Sequence, residues 1–230
     1  MRPVVIGVGG AHSGSGKTEF ASLILQHFRG WGAIKYTRSA LYSSVTDDPG
    51  IISMKGKDTQ RLLDSGACKV LWVKSPAYAL RDVLPVSVDM LSDLEGIVVE
   101  GNSAIEFIRP DVILFIFGSD IARTKESARR VLRMAHMVVT GEGQFPDLPK
   151  EVKRFDRSTE GKERLIRCIK EMVEIKEKIR SLLKERSTER KIPCTLARRI
   201  AEELHVSYRE IGDAANELDI KITSCELGCF

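Results

Sequence analysis

Short, continuous apolar runs punctuate the chain as far as residue 140: PVVIGV (3–8), KVLWV (69–73), GIVVE (96–100), VILFIF (112–117) and HMVVT (136–140), with a briefer GAIKYT at 32–37. They are rich in β-branched residues and lack polar alternation, the pattern of strands buried on both faces of a parallel sheet. Between them the period changes. Phe20, Leu23, Ile24, His27 and Phe28 recur at helical spacing over 17–29, and helices are also predicted at about 57–66 and 120–134. Alternation of this kind predicts an α/β fold with a mostly parallel sheet flanked by helices. Residues 76–93, interrupted by Pro76 and Pro85, predict no single element. Residues 37–56, rich in Ser, Thr, Asp and Gly, read as a long loop, which at that length is usually functional or disordered.

The pattern shifts near Gly141. Residues 141–161 read as a connector with a short strand around Val152. Residues 161–191 place Leu165, Ile169, Met172, Val173, Ile179 and Leu183 along one face of a long amphipathic helix. Too few heptads are present for a coiled coil, so packing on the first domain is favoured over a dimerising stripe. The segment 193–230 predicts a helix near 195–204, a turn at HVS, a helix near 207–218 with Ser207 as N-cap, and an extended IKI, the shape of a helix-turn-helix unit. Three regions follow: 1–150, 151–191 and 192–230.

The length of 230 residues suits one α/β domain and a small appendage. No apolar run approaches about 20 residues, and the chain enters its first strand directly after Met1-Arg2-Pro3, so a cytoplasmic protein with no membrane partner is expected. The 36 basic and 32 acidic residues leave a formal charge of +4, which argues against a strong polyanion binder. Five cysteines, an odd number, argue against a disulfide framework in that compartment. Cys68 and Cys168 read as small core residues, whereas Cys194, Cys225 and Cys229 gather towards the C-terminus.

The chemistry begins at VGGAHSGSGKTEF (8–20). This run follows a predicted strand and opens a predicted helix, the setting of a phosphate loop, G-x-x-x-x-G-K-[ST], with Ala11 at its first position. Such a loop turns successive N–H groups around an oxyanion above a helix N-terminus. Ser13, Gly14, Ser15, Gly16, Lys17 and Thr18 are the expected phosphate contacts, with the Lys17 ammonium on the β- and γ-phosphates and the Thr18 hydroxyl on Mg²⁺. Ala11 fits if its φ stays negative, because Gly9 and Gly10 leave the backbone room. A second carboxylate at a neighbouring strand end commonly holds the metal or its water, and GIVVEG places Glu100 there. Asp58 opens a predicted helix, as a capping residue or as part of the site. Asp47 and Asp48 suit either a metal contact or ordinary turn chemistry. Lys35, at a strand end, would meet a phosphate or be solvated, and His12 reads as a loop side chain or nucleotide contact.

In their order, AHSGSGKTEF, IKYT, TDDPG, GKDTQRLLDSGA and VVEGN resemble the molybdopterin-guanine dinucleotide biosynthesis protein MobB family across about residues 3–140. The resemblance implies a P-loop NTPase fold binding ATP or GTP with Mg²⁺, and an accessory role in attaching a nucleotide to the molybdenum cofactor. It implies a homodimer or a molybdenum-cofactor enzyme or chaperone as partner. Lys17 and Thr18 take the family's phosphate and Mg²⁺ roles, with Asp58 and Glu100 at its matching acidic positions and Lys17, Asp58 and Glu100 as the catalytic set. The family's histidine-rich stretch is here KYTRSALYSS, so no imidazole role transfers. No N-K-x-D guanine motif is present, which leaves ATP and GTP both open. The region after residue 190 lies outside the resemblance. There Cys194, Cys225 and Cys229 suit either Zn²⁺ or an Fe–S cluster, with His205 as one further candidate ligand, or simple packing. Two other readings are a regulator or docking protein whose helix-turn-helix unit meets DNA or a protein, and a small-molecule kinase. Glu202, Glu203, Glu210 and Asp213 dilute the charge of Arg198, Arg199 and Arg209, which disfavours DNA.

Overall fold

A computed structural model describes residues 2–120, 123–141 and 147–224. In chain order the elements are β1 (Val4–Gly10), α1 (Lys17–His27), β2 (Gly32–Arg38), β3 (Ser44–Thr46), α2 (Pro49–Ile52), α3 (Asp58–Asp64), β4 (Val70–Ser75), a 3-10 turn (Ala77–Ala79), α4 (Leu80–Asp89), β5 (Gly96–Glu100), α5 (Asn102–Ile108), β6 (Val112–Ile116), α6 (Glu126–Met134), β7 (Met137–Val139) and β8 (Lys153–Phe155). They are followed by α7 (Thr159–Arg186), β9 (Lys191–Pro193), α8 (Cys194–Leu204), α9 (Tyr208–Glu217) and β10 (Lys221–Thr223). Two compact units divide between Ile169 and Lys170, inside the continuous helix α7.

The first unit holds an eight-stranded sheet in the order β3-β4-β2-β5-β1-β6-β7-β8, parallel except for β3 against β4. The wholly buried runs of β1, β5 and β6 occupy its centre, as strands covered on both faces must. Helices flank it in two groups, α1 with α3 and α4, α5, α6 in succession. Phe20, Ile24 and Leu25 bury one side of α1, while His27, on the expected apolar stripe, is exposed at the last turn. This is the α/β architecture with a mostly parallel sheet that the alternation predicts, joined by a helical C-terminal region.

Several local expectations need correction. Residues 76–93 hold more than one element, as their mixed signals imply, but the greater part of them is a helix, α4 (Leu80–Asp89), with Pro85 inside it after the 3-10 turn. Leu80 and Leu84 of that helix, with Leu91 just beyond it, are buried against Val5, Ile34 and Ile97, and this burial outweighs the backbone bond that Pro85 cannot make. Residues 37–56 are not one loop. Val45 of β3 pairs with Val73 at the sheet edge, and Asp48 caps α2 by accepting from the Ile51 N–H at 3.1 Å, with Pro49 following it. Helix α6 starts at Glu126 rather than near 120, because the Lys125 N–H donates to the Ala11 carbonyl at 3.1 Å instead of to a preceding turn. Cys68 is exposed, its thiol 3.0 Å from the Gly30 carbonyl, whereas Cys168 is buried. The strand expected near Val152 is β8, residues 153–155, and it adds parallel to β7.

The second unit gathers Ile179 and Leu183 of α7, Ile192 of β9, Ala197 and Ile200 of α8, Ile211 and Ala215 of α9, and Ile220 into one core. Ser207 caps α9 in a reciprocal box with Glu210, as its position predicts. The short parallel pair β9–β10 includes the expected IKI strand and a partner, Lys191–Pro193, that periodicity over three residues cannot reveal. Among the described residues no helix is long and apolar enough to cross a membrane.

Candidate functional site

The run at residues 8–20 leaves β1 at Gly10 and enters α1 at Lys17. Ala11 fits without strain: it keeps a negative φ, is fully buried among Ile105, Phe115 and Val131, and donates to the Ile116 carbonyl at 2.9 Å. Gly10 does not tolerate a side chain, since a Cβ there would strike the Ser15 hydroxyl and lie 3.0 Å from the Ile116 carbonyl oxygen, and one at Gly9 would strike Val131 and Asn102. Gly16, with φ 96°, sits at the N-cap in the left-handed region and offers no side-chain cap, so the first N–H groups of α1 remain available to an anion. The Ser15 hydroxyl is buried and has no hydrogen-bond partner. An orphaned donor beside an uncapped helix N-terminus fits a phosphate oxygen. Ser13 and Gly14 are exposed at the loop tip.

Two residues outside the loop hold it in shape. Asn102 brackets Gly10, its Oδ1 accepting from the Gly10 N–H and its Nδ2 donating to the Gly10 carbonyl, both at 2.9 Å. The Arg157 guanidinium donates to the carbonyls of Ser15 at 2.6 Å and Phe117 at 2.8 Å and pairs with Glu19 at 3.5 Å. Neither emerged as a site residue from the sequence. Asn102 lies two positions beyond Glu100, in a motif already singled out, but Arg157 lies in a segment that reads only as a connector.

The Lys17 ammonium donates to the His12 carbonyl at 2.8 Å, spanning the loop. Burial holds its pKa below the ordinary lysine value; Glu100 and Asp58 oppose that shift, while Lys35 and Lys125 reinforce it. Phosphate oxygens would favour the charged form, so nucleotide binding is expected to take up protons at alkaline pH, where free Lys17 is already losing its own. Titration calorimetry in buffers of differing ionisation heat measures this uptake, which should grow with pH in the unaltered chain and vanish in Lys17→Arg.

At Thr18, the next residue of α1, four groups meet. Strands β2 and β5 are neighbours in a register that pairs Lys35 with Glu100. Glu100, 2% exposed, accepts from the Thr18 hydroxyl at 2.9 Å and from the Lys35 ammonium at 2.5 Å. The same ammonium lies 2.6 Å from the Asp58 carboxylate and 3.5 Å from the Thr18 hydroxyl. Partial burial of Asp58 works against its ionisation, yet its hydrogen bond and ion pair with Lys35, helped by Thr18 and Arg61, hold its carboxyl below the usual range. Asp58 stands in the first turn of α3, so its charge also complements that helix end.

Hard oxygen donors gathered around a positive charge fit Mg²⁺, which takes one or two carboxylates and completes its shell with water and substrate phosphates. Among the described residues no cluster of three or more His, Cys, Asp or Glu is placed to hold a metal, so an all-protein cage is absent there. Cys194 opens α8 half-buried and His205 is exposed, while Cys225 and Cys229 lie outside the described residues. Asp47 pairs with Lys69 at 3.3 Å and Asp48 is the α2 cap, so neither joins the site. His12 turns its Nδ1 to the Ser13 carbonyl at 2.6 Å, as a loop side chain.

No family model matches the chain, and no curated protein does. Among solved structures, the signal recognition particle receptor FtsY from Elizabethkingia anophelis is similar at 14% identity and a TM-score of 0.34, over 61% of this chain and 50% of that one. The signal recognition particle 54 kDa protein from Aeropyrum pernix K1, in complex with GDP, is similar at 14% identity and a TM-score of 0.37, over 95% of this chain and 77% of that one. The chain thus spans about half the length of the first of these proteins.

Proposed function

We propose that the chain binds a magnesium nucleoside triphosphate, ATP or GTP, at the loop ending in Lys17 and Thr18, and turns it over slowly. One observation carries this reading: the Thr18 hydroxyl and the Glu100 and Asp58 carboxylates converge on a positive charge beside an open helix N-terminus and the orphaned Ser15 hydroxyl. Thr18 and Glu100 would hold the metal, with Asp58 at it directly or through water. Bound there, Mg²⁺ supplies charge neutralisation and polarisation of the phosphate oxygens. The backbone of Ser13–Gly16 and the Lys17 ammonium orient the phosphates, while Asn102 and Arg157 keep the loop from collapsing or opening.

Slow turnover follows from what the carboxylates already do. Glu100 and Asp58, which Lys35 neutralises without nucleotide, would be committed to the metal or its water with it, so neither is set up to take a proton from an attacking water. A second copy of the chain or a partner enzyme would complete the site. The motif order shared with MobB supports a narrower reading, an accessory role in attaching a nucleotide to the molybdenum cofactor. The second unit then serves for docking rather than DNA contact, since Arg186 pairs with Glu203 at 2.8 Å and Arg209 faces Asp213 at 3.8 Å.

Phosphate release from ATP and from GTP, with and without Mg²⁺, tests the proposal. Slow, Mg²⁺-dependent release that accelerates with a molybdenum-cofactor enzyme is the expected result. The absence of release with either nucleotide, alone or with that partner, contradicts it.

A further inference from the structure

The most consequential side chain of the site is one that no phosphate-loop pattern contains. Glu100 is buried, and the Asp58 carboxylate approaches the same point from α3. A buried carboxylate with a second, half-exposed one beside it favours a cation between them. The β2–β5 register supplies one by setting Lys35 beside Glu100, and paired residues of neighbouring strands project to the same face of the sheet. The ammonium therefore lies within 2.5–3.5 Å of all three oxygen-bearing groups that would hold the metal.

We propose that Lys35 is a tethered cation that holds the metal position in the nucleotide-free site and leaves it when the metal-bound nucleotide enters. This rests on the metal–nucleotide reading above. A divalent ion and an ammonium cannot share the point, because each would face a like charge at contact distance. The lysine stem has four rotatable carbons and the Lys35 side chain is already partly exposed near the end of β2, so departure is a side-chain movement that leaves the sheet as it is. Once displaced, the ammonium remains close to Thr18 and the loop, where added phosphate charge can receive it. Free metal, which brings no such anion, must displace Lys35 without compensation. The site is thereby biased against metal alone and in favour of metal with nucleotide. A salt bridge that merely stabilises the fold would predict no competition of this kind.

The test uses the full-length protein without nucleotide and Mn²⁺ as a spectroscopically visible metal. Lys35→Met should bind Mn²⁺ at least about tenfold more tightly than the unaltered chain, since removing one charge near the site relieves a repulsion of that order or more. Its thermal midpoint should fall in metal-free buffer and recover on adding Mn²⁺, whereas Lys35→Arg should keep Mn²⁺ out. Should Lys35→Met not fold, Lys35→Gln, which can still bond the carboxylates, takes its place in the same comparison. Equal Mn²⁺ affinity in the neutral variant and the unaltered chain overturns the proposal. Tighter Mn²⁺ binding by the variant upholds the hold of Lys35 on the metal position even where the unaltered chain binds no nucleotide, a result that would separately remove the nucleotide reading and with it the departure step.

Discussion

Lys17→Ala is expected to weaken magnesium-nucleotide binding by about 10–100-fold, the loss of one hydrogen bond to a charged group. The physical reason is a specific placement. Lys17 follows the left-handed Gly16, so its stem leaves the first turn of α1 and returns across the loop to the His12 carbonyl. That carbonyl is a poor partner for an ammonium already disfavoured by burial and by Lys35 and Lys125, and phosphate oxygens are a far better one. The fold itself loses little, so the thermal midpoint of Lys17→Ala without nucleotide should be unchanged or slightly raised. A variant that lost affinity and stability together would mean that Lys17 holds the loop rather than the ligand.

Glu100→Gln is expected to reduce Mg²⁺-dependent turnover by about 10–100-fold, the range found when a group that orients a metal or its ligands is changed. Glutamine keeps the volume and can still accept from the Thr18 hydroxyl, so the strand end stays packed. It removes the charge that draws both Thr18 and Lys35 to one point. The effect should appear in the Mg²⁺ concentration needed for half-maximal phosphate release, with nucleotide affinity in the absence of metal little altered. That separation distinguishes Glu100 from Lys17, whose loss acts on the phosphates directly.

Much of this site was legible because it is local. The strand–loop–helix around Lys17 and Thr18 occupies one contiguous stretch, and a continuous apolar run ending in Glu100 says both that the strand is buried and that its last residue meets the loop edge. Lys35 was legible only as a strand-end lysine, because its partners are set by β2 lying next to β5, a neighbourhood that periodicity does not encode. Arg157 was invisible for the same reason, at 142 residues' separation from Ser15. In the fold, α4 was hidden by two prolines that forbid a clean helical reading, although Leu80, Leu84 and Leu91 supply its apolar face. Cys68 misled in the other direction, since an apolar neighbourhood in sequence did not place its own side chain inside.

The most direct measurement is a calorimetric titration of the unaltered chain with ATP and with GTP, each in the presence of Mg²⁺. Saturable binding of at least one of them, one per chain, with affinity that falls when Mg²⁺ is withdrawn, is the predicted result. Absence of binding by both would contradict it, and would leave the converging Thr18, Lys35, Asp58 and Glu100 as an ionic network without a nucleotide role.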